Sequence, residues 1–125
     1  MEPEDLGAFQ GLRSDAGDRT SRCRTGPRRL LQDGSLGAKS AEMIAGDVDE
    51  PDNHGIPINT EEGRGSLIRA AHTAHMGVAV HAIGDLAFRK VCDAIEWVER
   101  EEPWPDHRHG IVHAQTPTPA LLERR

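Results

Sequence analysis

Apolar positions are scattered through the first third of the chain, where Gly, Arg, Asp and Ser predominate. Neither a two-residue nor a 3.6-residue period holds there, except at Arg29-Leu30-Leu31, which reads as a short strand. The run Glu50-Pro51-Asp52-Asn53-His54-Gly55-Ile56-Pro57-Ile58 is turn chemistry and reads as a connector. The second half is periodic. Leu67, Ile68, Ala71, Ala74 and His75 recur as one helical stripe, which Asn59 or Thr60 can cap and Gly77 ends. Val78-Ala79-Val80-His81-Ala82-Ile83 is apolar apart from its histidine, as a parallel strand buried on both faces would be. Gly84-Asp85 breaks that strand. Asp85 can cap a helix reaching about Glu101 whose Ala87, Val91, Ala94, Ile95 and Val98 share a face, and Pro103 and Pro105 close it. A strand His109–His113 follows, then a Thr-Pro-Thr-Pro turn and a helical start at Ala120–Glu123. This alternation predicts an α/β fold with a parallel sheet. It divides the chain into residues 1–58, mostly loop with one short strand, and residues 59–125, built of βα units.

Composition narrows the partners. The chain has 125 residues, 36% hydrophobic, with two Phe, two Trp and no Tyr, which predicts a thin core. A formal charge of −6 opposes binding to nucleic acid or to an anionic membrane. Arg13, Arg19, Arg22, Arg24, Arg28 and Arg29 are locally basic, but Asp15, Asp18 and the lack of interleaved aromatics make them a solvated face rather than an RNA contact. A small-molecule substrate or a protein partner is expected. Cys23 and Cys92 lie far apart and form no metal or disulfide motif, which suits a reducing cytosol. No apolar run approaches the ~20 residues of a membrane span, and the acidic start lacks the features of a signal peptide. The expectation is a soluble, cytoplasmic protein.

Two residues stand out chemically. His81 lies near the end of one predicted strand and His113 ends the next, so a parallel sheet with a right-handed crossover brings both imidazoles to its C-terminal edge. Neutral imidazole is a common ligand for divalent zinc, and two of them can share an ion while leaving room for water and substrate. The plainer alternative is a pair of hydrogen-bonded strand-end residues. Asp85, four residues past His81, is the candidate catalytic carboxylate, able to orient a reacting water or to hold a ligand's outer ring nitrogen; its plainer role is the helix cap. His107 and His109 form an H-x-H, yet they start the strand that His113 ends, ~13 Å away, and read as structural. His72 and His75 could chelate a surface metal but read as a partly buried polar edge. Cys92 reads as a small core residue.

Three stretches in order, Gln32-Asp33-Gly34-Ser35-Leu36-Gly37, Val80-His81-Ala82-Ile83-Gly84-Asp85 and Arg108-His109-Gly110-Ile111-Val112-His113-Ala114-Gln115, resemble the amidohydrolase type-3 family. Weaker agreement at Gly11-Leu12-Arg13, Gly17-Asp18 and Asp52-Asn53-His54-Gly55 extends the resemblance over nearly the whole chain. It implies a TIM-barrel core and metal-dependent hydrolysis of carbon–nitrogen bonds other than peptide bonds, with one or two divalent ions. It also implies that His81 and His113 are the metal-binding histidines of consecutive strands, and that Asp33 and Asp85 shape the site.

The departures set the other expectation. A TIM barrel takes about 250 residues, so this chain supplies about three of its eight units. The family's early H-x-H strand and late catalytic Asp are not in it. Arg29 stands where a carbamylated lysine is common, and a guanidinium neither carbamylates nor ligates; Val112 replaces a common Glu. The sequence therefore predicts a partial barrel from a metal-dependent amidohydrolase, inactive by itself. The competing expectation is a truncated, non-catalytic remnant that folds only with a partner chain completing the barrel.

Overall fold

The structure, a computed structural model, describes residues 26–124. The arginines before Arg28, Cys23 and the family agreement at residues 11–18 lie outside the described residues. The elements run β1 (Arg28–Leu31), α1 (Glu61–Thr73), β2 (Val78–Ala82), α2 (Asp85–Glu101), β3 (Gly110–His113) and the single turn α3 (Pro119–Leu122). The three strands form one parallel sheet in the order β1-β2-β3, each joined to the next through a helix, as the alternation predicts. The register places Leu31 beside His81 and His81 beside Val112.

Burial alternates along β1 and β2, whereas β3 has no fully buried residue. Arg28, Leu30, Val78, Val80 and Ala82 are buried, and the alternating residues Arg29, Leu31, Ala79 and His81 are exposed or half-buried. α1 and α2 pack against each other and against β2, where Ile68, Ala71, Met76, Val91 and Val98 close the core with Val78 and Val80. The core is small and almost wholly aliphatic; Phe88 is the one buried aromatic of the Phe/Trp class among the described residues. None of the described helices is long and apolar enough to cross a membrane.

Two helix ends depart from the sequence reading. α1 is capped by Thr60, whose hydroxyl accepts from Gly63 N at 3.0 Å, while Asn59 donates instead to Leu31 O at 2.7 Å. Its C-terminus is set by His75 rather than Gly77. His75 adopts φ 53°, with its N–H donating to His72 O at 2.8 Å and the next N–H, of Met76, to Ala71 O at 2.9 Å, the left-handed closure usually assigned to glycine. Gly77 is spent on close approach, since a Cβ there would lie 2.9 Å from Arg108 O. At α2 the cap is Gly84, with no side-chain capping bond, and Asp85 is the first helical residue. The reason is tertiary: Glu42 O accepts from Leu86 N at 3.0 Å and Ala87 N at 3.4 Å, so a carbonyl from a distant loop satisfies the helix N-terminus. A Cβ at Gly84 would meet that oxygen at 1.9 Å.

Candidate metal centre

The C-terminal edge of the sheet gathers the chain that follows β1, the end of β2 and the end of β3. His81 and His113 meet there with ring centroids 4.6 Å apart and planes at 73°. Register alone does not produce this meeting. His113 pairs with Ala82, so in a regular pleat its side chain would share the face of Ala82 rather than that of His81. At His113 and Ala114 the backbone turns left-handed, with φ 77° and 45°, and the strand leaves its pleat. For residues with a Cβ this conformation is costly and collects at functional sites.

The tautomer of His81 follows from its surroundings. Its Nε2 lies 2.8 Å from Gly34 O, which can only accept, so Nε2 carries the proton and the neutral ring keeps its lone pair on Nδ1. Asp33 Oδ1 stands 3.6 Å from the same nitrogen. A carbonyl or carboxylate on the outer N–H is the arrangement that orients a metal-binding histidine and raises its basicity. Half-buried His81 and exposed His113 thus present an imidazole pair that suits a borderline-soft divalent ion. Among the described residues no three or more His, Cys, Asp or Glu groups are placed to hold one ion, so the pair could supply only part of a metal site.

Asp33 is buried and bonded at both oxygens. Oδ1 accepts from Ile83 N at 3.0 Å, and Oδ2 from Gly84 N and Glu42 N, both at 2.9 Å. It ties the ends of β1 and β2 to the loop that covers them. Asp85 Oδ1 accepts from Ile44 N and Leu86 N, both at 2.8 Å, holding that same loop against α2. Of the two aspartates, Asp33 is the one at the His81 ring.

The sequence reading missed a buried polar network behind this edge. Gln32 donates to Glu42 Oε2 at 2.7 Å and accepts from Arg64 at 3.1 Å, and Lys90 pairs with Glu42 Oε1. Gln32 sits next to Asp33 in a motif that the family resemblance had singled out, a signal that could have found it; Glu42 and Arg64 carry no local signal. The remaining candidates are placed apart from the pair. His72 and His109 bond to each other at the other end of the sheet, and His75 is exposed. Cys92 is half-buried on α2, and burial pushes its thiol pKa up, away from nucleophilic character. Arg29 follows the alternation of the open sheet face, beside Ala79 and one pleat below the Leu31–His81 pair.

Comparisons with known proteins address the family and the fold. The chain is similar to "Putative amidohydrolase YtcJ" of Bacillus subtilis (strain 168), 41% identical over 100 residues that cover 79% of this chain and 18% of that protein. It is 36% identical over 92 residues to Protein LONG AFTER FAR-RED 3 of Arabidopsis thaliana, covering 74% of this chain and 16% of that one. The chain therefore spans less than a fifth of the length of these curated relatives. Among solved structures it superposes with a TM-score of 0.79 and 27% identity on an uncharacterized metal-dependent hydrolase from Pyrococcus horikoshii OT3, covering 98% of this chain and 24% of that one. A second uncharacterized metal-dependent hydrolase, from Pyrococcus furiosus, gives 0.73 and 29%, covering 92% and 24%. A model described as the amidohydrolase family matches residues 2–125, and the chain belongs to that family.

Proposed function

We propose that this chain forms part of the active site of a metal-dependent hydrolase acting on carbon–nitrogen bonds other than peptide bonds, with His81 and His113 as two ligands to one divalent ion, zinc by preference. The observation that carries the reading is the meeting of the two imidazoles at 4.6 Å on the C-terminal edge of a parallel sheet, with the outer nitrogen of His81 fixed by Gly34 O. His81 would bind through Nδ1. When bound, the ion supplies a Lewis acid that activates water and polarises a carbonyl at neutral pH. Asp33 and Gly34 hold His81 in the ligating tautomer. Asp85, whose Oδ1 accepts from the Ile44 and Leu86 amides, is assigned the orientation of the reacting water; the late Asp that takes the proton in this family is not among these residues. A small amide is the substrate class this chemistry implies, in a cytoplasmic setting, without nucleic acid or membrane.

The architecture we infer is a partial TIM barrel, residues 1–125 forming one incomplete domain with its βα units from residue 59. Sequential parallel strands, crossover helices on one face and functional residues at the strand C-termini support it. The partner-dependent reading has its own support: β1 and β3 each keep one edge unpaired among the described residues, and Leu31 on the open face is 44% exposed. Further strands, from a longer polypeptide or a partner chain, would cover that face.

Elemental analysis of the purified chain equilibrated with zinc tests the ligand assignment. About one zinc per chain, lost in both His81→Ala and His113→Ala, is expected. Zinc retained by both variants would remove the assignment.

A further inference from the structure

A second group of histidines gathers at the opposite edge of the sheet, where β2 and β3 begin, and its hydrogen bonds run in one direction. The Val78 amide can only donate, so the His109 Nδ1 that it reaches at 3.1 Å accepts. In the neutral ring the proton then sits on Nε2, which donates to His72 Nδ1 at 2.8 Å. His72 in turn carries its proton on Nε2 and donates it to Glu102 O at 2.6 Å. All four ring nitrogens are used. A further proton on either ring has no place unless one of the three bonds breaks.

Charged and titratable neighbours come from each packed element. α1 adds His75, whose ring lies 5.0 Å from Trp104. The end of α2 adds Glu99, with Oε2 3.8 Å from His72 Nε2, and Glu102, whose carboxylate accepts from Thr73 at 2.8 Å. The connector to β3 adds His107, stacked on His109 at 4.8 Å, and the exposed pair Asp106 and Arg108. His109 thus faces two imidazoles and no carboxylate among these contacts; burial, then His107 and His72, push its pKa down to about 4.

We propose that the Val78–His109–His72–Glu102 chain is an acid-released clasp. Neutral, it fastens the connector between α2 and β3 to α1 and to the start of β2. Protonated, it lets go of the start of β3, the strand that carries His113 at its other end. The clasp stands on its own geometry and does not depend on a metal at the opposite edge.

The pH window follows from linkage. With His109 near 4 when closed and near its ordinary value of about 6.5 when open, the open form binds more protons between those limits. Closure therefore weakens about tenfold for each pH unit on descending through that window. The test is amide hydrogen exchange at Val78 in the full chain from about pH 7.5 to about pH 4.5, corrected for the intrinsic rate. Protection is expected to fall about tenfold per unit below about pH 6.5, and to stay flat in His109→Gln, which cannot titrate. Flat protection in the unsubstituted chain would overturn the proposal. Imidazole nitrogen shifts give a second reading at neutral pH: an unprotonated His109 Nδ1 is expected, and a protonated one would also overturn it.

Discussion

Asp33 carries three buried backbone N–H groups and lies against the ring that is the best candidate ligand. Asp33→Ala would leave those donors without an acceptor, at about 1–3 kcal/mol each before relaxation. We expect a loss of at least 3 kcal/mol in denaturant unfolding, with zinc binding weakened as the end of β2 loosens. Gly84→Ala, which drives a methyl into Glu42 O, is expected to cost about 2 kcal/mol or more by the same measurement. The placement of His81, His113 and Asp33 at one sheet edge was legible in the sequence because each sits in a short motif at or just past a predicted strand end. The network joining Gln32, Glu42 and Arg64 was not, although Gln32 itself lies in a family motif. Their partners lie 10 and 32 residues apart, in a stretch without periodicity, and only the fold makes them neighbours. The left-handed turn at His113 was also invisible, because nothing in Val112-His113-Ala114 asks for a positive φ.

At the scale of elements, the apolar pattern located all three strands and α2 to within about a residue, whereas α1 ends at Thr73, short of the Gly77 that the sequence offered as its stop. Helix ends were less legible because tertiary contacts decide them. Thr60 is the local case, and Thr60→Ala is expected to cost about 1 kcal/mol in thermal or chemical unfolding. His75 is the opposite case, a side chain where glycine would be easier. His75→Gly is expected to stabilise the chain by about 0.5–1 kcal/mol, the relief of the left-handed penalty less the lost packing on Trp104. Asp85 failed as a cap for a related reason: the Glu42 carbonyl already occupies the N-terminus of α2, and the aspartate instead pins Ile44.

At the scale of the whole molecule, the parallel α/β class followed from the alternation of helix and strand, and the family from motifs that hold their order along the chain. What would cover the open face of Arg29, Leu31, Ala79 and His81 was not legible, because no described residue packs a further layer on it. The two edges of the sheet divide the histidines by role: His81 keeps a lone pair on Nδ1, whereas His72 and His109 spend every ring nitrogen on one another and on the backbone. Zinc should therefore discriminate between two clusters of the same residue type. The most direct measurement is the zinc K-edge absorption spectrum of the zinc-loaded chain. The outer-shell scattering of two imidazoles is expected in the unsubstituted chain, lost together with the zinc in His113→Ala and unchanged in His109→Gln. A spectrum without imidazole scattering, or one that changes with His109 and not with His113, would contradict the account.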